Sequence, residues 1–219
     1  GKLRTFQDYI DGMKEGQNEI YYATGATLEE VLKSPYLEAF KDKDIEVLVF
    51  LDEIDDFVFT GFEFKGKRLK SVSKGDINLD KAEEDEKKDT QKKYKKLLDL
   101  VKDILKDDVK DVRFSGRLTD SVCCLVAEEG DMDPQMEKLL KAMGQDVPQR
   151  KRVLEINPSH PLFAAMNTIF ENDKNSPHLE DYTRLLYDQA LLLEGSKPKD
   201  PAAFAKVLAR LMVENAEKY

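Results

Sequence analysis

The sequence predicts an α/β (α+β) chain, in which a small parallel α/β domain over residues 1–80 is followed by a mixed α/β domain over 81–219 that ends in a dimerising helix pair. Three observations carry this expectation. A continuous apolar run, Val47-Leu48-Val49-Phe50-Leu51, lies among helix-spaced segments, as in a strand covered on both faces. A stretch dense in charge, Lys81-Ala82-Glu83-Glu84-Asp85-Glu86-Lys87-Lys88, then interrupts the apolar patterning. From His160 onward, only helical periodicity is present.

In the first part, Phe6, Tyr9, Ile10 and Met13 fall at helical spacing, and Lys14-Glu15-Gly16-Gln17 turns the chain into the aromatic-rich strand Ile20-Tyr21-Tyr22-Ala23. Thr27 and Glu30 have capping-box spacing, which starts a second helix that Ser34-Pro35 interrupts or restarts. If the strands at 20–23 and 47–51 pair in parallel, their crossover is right-handed. A short helix over 55–59 and a strand with its turn over 64–69 close this unit. Residues 74–92 read as a linker or exposed helix start, and the domain boundary is placed there.

In the second part, Tyr94, Leu97, Leu98, Val101, Ile104 and Leu105 form a helical stripe. Strands are expected at 112–114, 122–126 and 153–156, with a helix from about 133 to 143 stopped by Gly144. Helices over 162–170 and 182–193, the latter stopped by Gly195, precede one that Asp200 caps and Pro201 begins.

Composition narrows the function. The 219 residues carry a net charge of -9, so the long-range field repels nucleic acid and anionic lipid. No apolar run reaches the roughly 18 residues that span a bilayer, and the first residues lack the apolar core of a secretion signal. Cys123 and Cys124 are neighbours, without the spacing of redox or zinc sites, and fit a reducing, cytoplasmic compartment.

Several motifs invite a chemical reading. Gly61-Phe62-Glu63-Phe64-Lys65-Gly66-Lys67-Arg68 has the glycine spacing of a phosphate loop, but Arg68 replaces the magnesium-binding hydroxyl, and the phenylalanines suit a strand. Asp52, Glu53, Asp55 and Asp56 follow a strand, where α/β enzymes place carboxylates; a metal- or base-dependent enzyme is therefore the alternative function. The same acids serve equally to charge the start of a helix. His160 and His178 stand at helix starts with no nucleophile beside them, so no hydrolytic triad is expected.

Two features ask for a partner. The last two helices carry leucines on more than one face, which suits an interface completing a four-helix bundle; Leu186, Leu193, Leu208 and Leu211 are the expected contacts. Met132, Met136, Leu139, Leu140 and Met143 share one helical face, and three of the chain's six methionines occur there. Flexible, polarizable methionine suits a surface that accepts many shapes, but packing on the neighbouring strands explains the stripe equally well.

The strings Met13-Lys14-Glu15-Gly16-Gln17-Asn18-Glu19-Ile20-Tyr21-Tyr22, Arg117-Leu118-Thr119-Asp120-Ser121, Gly130-Asp131-Met132-Asp133-Pro134-Gln135-Met136, Glu155-Ile156-Asn157-Pro158 and Tyr187-Asp188-Gln189-Ala190-Leu191-Leu192 resemble, in order, signatures of the heat-shock protein 90 family. The resemblance covers nearly the whole chain. It implies the later part of that family's middle domain followed by its C-terminal dimerisation domain, from an ATP-dependent chaperone whose ATP and magnesium are bound elsewhere. This fragment is then expected to be no enzyme and to hold no cofactor. Its partners are a second copy of itself and partly unfolded clients. The methionine stripe becomes client-binding, with Phe57 and Phe59 as exposed contacts on the middle domain. Ala216-Glu217-Lys218-Tyr219 lacks the Met-Glu-Glu-Val-Asp tail of eukaryotic cytosolic members, so a bacterial-type member without tetratricopeptide co-chaperones is expected.

Overall fold

A computed structural model of the chain describes residues 3–52, 54–79, 84–131, 137, 140, 143–145 and 150–218. The chain forms two compact units. The first comprises Gly1–Leu79, Gly116–Thr119 and Val126–Arg150; the second comprises Asp80–Ser115, Asp120–Leu125 and Lys151–Tyr219. This departs from a single cut at residue 80, because the chain returns to the first unit twice.

The first unit is built on a sheet of order β2-β1-β4-β3, with β1 at Glu19–Thr24, β2 at Leu48–Phe50, β3 at Glu63–Phe64 and β4 at Lys67–Ser71. β1 pairs in parallel with β2 and β4, while β3 folds back antiparallel on β4. Its helices are α1 (Phe6–Asp11), α2 (Leu28–Leu32), α3 (Glu38–Asp42) and α4 (Asp55–Phe59), with a 3-10 turn at Pro35–Leu37 capped by Ser34. Thr5 and Asp8 close a reciprocal cap at the start of α1. Alternation along β1 divides the core. Tyr21 and Ala23 pack with Val31, Leu37 and Phe40 on one side, and Ile20 and Tyr22 pack with Tyr9 and Leu69 on the other. The buried Tyr9 hydroxyl donates to the Glu46 carbonyl (2.7 Å) and accepts from the Tyr21 amide (3.0 Å), fixing α1 to β1 and to the entry of β2.

Two expectations for this unit change. The run 47–51, read as covered on both faces, is an edge strand whose residues Leu48–Phe50 are only half-buried. Residues 74–79 are no linker, since Ile77 lies in the core at 1% exposure. The strand and turn expected over 64–69 are present: a two-residue hairpin turn joins β3 and β4, in which Lys65 (φ 49°) and Gly66 (φ 75°) both adopt the left-handed region. That geometry matches a primed hairpin turn, and it leaves no cradle of amides for phosphate.

The second unit carries a three-stranded sheet of order β5-β7-β6, with β5 at Asp111–Phe114, β6 at Cys123–Val126 and β7 at Val153–Ile156. β5 and β7 pair in parallel. Helix α5 (Glu84–Ile104) lays Tyr94, Leu97 and Val101 into its core, as the stripe predicted. Helices α6 (Pro161–Asn172) and α7 (Pro177–Leu193) add Phe163, Met166, Phe170, Leu179, Leu186 and Tyr187 to the same core. α7 starts at Pro177, five residues before the expected start at 182. It ends where Gly195 (φ 74°) lets the Ser196 amide reach the Leu191 carbonyl (2.8 Å). The last helix, α8, spans Pro201–Ala216. Within the sheet, the fully buried Glu155 carboxylate accepts from Arg113 (2.8 Å) and from the Ser115 hydroxyl (2.8 Å), which satisfies a charge that burial would otherwise penalise.

Candidate functional site

Two surfaces stand out, one in each unit. In the first unit, β2 leads into α4. The Asp55 carboxylate accepts from the Asp52 backbone amide (3.1 Å), so this acid folds the turn ahead of the helix. Among the described residues, no group of three or more His, Cys, Asp or Glu side chains is placed to hold a metal ion. α4 then turns Phe59 inward. Its ring stacks on Phe50 at 4.5 Å and meets Phe6 and Phe62 edge-on at 5.9 and 5.7 Å. Phe59 is therefore a packed anchor and not the exposed contact expected, because its ring completes the core face formed by Phe50 and Phe6. The side chain of Phe57 lies outside the described part of the chain.

Around that anchor the surface is apolar. Leu51, Ile54, Val58 and Phe62 are 46%, 60%, 54% and 37% exposed within twelve residues. Sequence reasoning passed over these four in favour of the phenylalanines. The available signal was the spacing of Ile54 and Val58, four residues apart, with the anchor Phe59 offset by one.

In the second unit, the four expected interface leucines divide. Leu186 is 1% exposed, its side chain committed to its own core, and its carbonyl accepts from the Cys123 thiol (3.1 Å); it has nothing to offer a partner. Leu193 and Leu208 are exposed, and Leu211 is half-buried. α8 contains no buried residue, although Phe204, Val207, Leu208, Leu211, Met212 and Val213 are apolar. Polar ties hold it: Arg210 pairs with Asp181 on α7, and Lys199, just before the helix, pairs with Asp108.

The methionine segment is partly visible. Met132, Met136 and Leu139 lie outside the described residues. Leu140 is half-buried, its carbonyl accepting from the Gln145 amide (3.0 Å) at a helix terminus just before Gly144, and Met143 is exposed in the following turn. Glu137, three residues before Leu140, is buried.

The other reactive groups serve structure. Burial pushes the Cys123 thiol up to about 12, far from a thiolate nucleophile, and Cys124 is buried as well. The His160 imidazole accepts from the Leu162 amide (3.2 Å) and caps α6. No helix among the described residues is long and apolar enough to cross a membrane.

Comparison with known proteins agrees in one direction. Residues 1–218 match the family model described as Hsp90 protein. Chaperone protein HtpG of Geobacter metallireducens is 46% identical over 225 residues, covering 99% of this chain and 34% of that protein. HtpG of Geobacter sulfurreducens is 45% identical over 223 residues, again covering 99% and 34%. HtpG of Mycobacterium avium is 44% identical over 209 residues, covering 94% and 32%. The chain thus spans about a third of the length of the curated relatives it matches.

Proposed function

Since the chain belongs to the Hsp90 protein family, we propose that it is the client-contacting, self-associating portion of an ATP-driven cytoplasmic chaperone, with no catalytic site of its own. ATP and magnesium then act on other parts of the longer family protein. The observation that carries this reading is the exposed set Leu51, Ile54 and Val58, which borders the half-buried anchor Phe59 on its core. Apolar side chains left in water beside a finished core add no stability, and they suit transient contact with apolar segments of partly unfolded chains. α8 supports the second half of the reading. An apolar helix that buries nothing in its own chain is covered when a second copy brings its own pair, making a four-helix arrangement.

Binding of reduced, carboxymethylated α-lactalbumin tests the client surface. Ile54→Ser with Val58→Ser should weaken it about fivefold, equivalent to about 1 kcal/mol. Melting should barely change, because exposed substitutions cost about 0.5 kcal/mol or less. Met132→Ser with Met136→Ser provides the matching arm for the second unit. A sharp drop in melting temperature with unchanged binding would assign these residues to the core and end the reading. Calorimetry of the chain with ATP should show no saturable heat; micromolar binding lost on Lys67→Ala would return the hairpin turn to consideration.

A further inference from the structure

The described sheet edges are not alike. β3 is two residues long, and β6 is buried along its length. β5 is blunted by charge: Asp111 takes up the Val112 amide through its own carboxylate (2.8 Å) and pairs with Lys102 (2.6 Å). Edges are commonly protected in this way against pairing with foreign strands. β2 has no such protection. It is apolar from Val47 to Leu51, half-exposed, and ends its sheet.

The register shows which peptide groups are open. The Gly25 amide donates to the Phe50 carbonyl (3.3 Å), so Phe50, and with it Leu48, turns its amide and carbonyl toward β1. Alternation then points the peptide groups of Val47, Val49 and Leu51 away from the sheet, where no described strand follows. The surroundings are acidic. The strand is flanked by the described acids Asp44, Glu46, Asp52 and Asp55, with no lysine or arginine between residues 44 and 64. Asp44 and Glu46 are matched by Lys14 and Arg4, whereas Asp52 at the far end of the strand is exposed.

We infer that β2 receives its ligand by strand addition: an extended segment of a non-native polypeptide, alternating apolar residues with lysine or arginine, bonds through its backbone to Val47, Val49 and Leu51. Its apolar side chains rest against Leu51, Ile54 and Val58, and its cations face the carboxylates. Backbone bonding is blind to sequence, which lets one edge hold many clients, while the acids select among them by charge. This inference deepens the client-binding reading and rests on it.

The test uses a fluorescent decapeptide of alternating valine and lysine, together with two N-methylated versions that block the amides of one register or the other. On the unaltered chain, one methylated peptide should bind at least about tenfold more weakly than the parent, and the other about as well, since a strand offers only alternate amides to an edge. Val49→Pro, which removes an outward amide without touching the β1 ladder, should weaken the parent peptide similarly. A peptide with glutamate in place of lysine should bind more weakly than the parent. Equal binding by both methylated peptides and the parent overturns strand addition, and the methylation arm needs no altered protein. Binding of carboxymethylated α-lactalbumin separates the two failures. If it binds while methylation is without effect, the client reading stands and strand addition falls; if neither it nor the decapeptide binds, both fall. A lower mass in light scattering for Val49→Pro would instead assign the edge to a second copy of the chain and overturn the proposal.

Discussion

Helices α7 and α8 begin alike, each with proline at its first turn, and both are rich in leucine and other apolar residues, yet they end differently. α7 buries Leu179, Thr183, Leu186, Tyr187 and Ala190 in its own core; α8 buries nothing. The comparison teaches that apolar content shows a helix needs cover without showing who provides it. α7 gets its cover from the sheet and α5 of the same chain. α8 leaves Phe204, Val207 and Leu211 only half-buried and is tied by the pairs Arg210–Asp181 and Lys199–Asp108, and surface pairs contribute only about 0–1 kcal/mol each.

The contrast can be broken at four points. Leu186→Ala should cost about 2–5 kcal/mol of stability, because it removes buried volume that neighbours cannot refill. Urea unfolding at several protein concentrations would read this, and an unchanged midpoint would show that α7 does not form the core. Leu208→Ser with Leu211→Ser should leave unfolding of the core intact and weaken self-association by about tenfold or more, equivalent to about 1.4 kcal/mol. Sedimentation equilibrium would detect it, and a dimer of unchanged strength would show that α8 is not the interface.

Two smaller changes sharpen the description of α7. The Thr183 hydroxyl is buried without a hydrogen-bond partner among the described residues, so Thr183→Val should stabilise by about 1 kcal/mol. Thermal unfolding with no gain would imply that the hydroxyl is satisfied in solution. Burial, and then the charge of Asp108, holds the Asp188 carboxyl above its ordinary range. A raised carboxyl favours the fold while protonated, and that contribution fades as pH rises through its raised value. Asp188→Asn should therefore stabilise slightly at neutral pH, by about 0.5 kcal/mol or less, and not at all in acid below the ordinary carboxylate range. A gain of equal size at both pH values would remove charge as its cause.

Much of this was legible in the residues. The α5 stripe, β5, β6 and β7, the Gly195 stop and the Asp200 cap follow from local periodicity and capping, which each segment carries within itself. Sheet order is not carried that way. A run such as 47–51 reads the same whether a strand has one neighbour or two, and only the arrival of β4 on the other side of β1 leaves β2 at the edge. The same limit separates Leu186 from Leu208, which look equivalent along their helices until the position of the core is known. At α4, Phe59 and Val58 differ by one residue and face different ways, and the stacking on Phe50 decides which is inward.

The first unit draws on Val126–Arg150 as well as on its opening residues, and this orders events while the chain is being made. When residue 79 leaves the ribosome, the sheet of β1 to β4 has all its strands, but the unit still lacks two of its three segments. At about 5–20 residues per second, the missing residues up to 150 take roughly 4 to 14 s longer to appear. During that interval the unit lacks the segments Gly116–Thr119 and Val126–Arg150, and the apolar edge of β2 is open. A chain of this architecture passes through a stage in which an apolar strand edge is open before its own unit is complete.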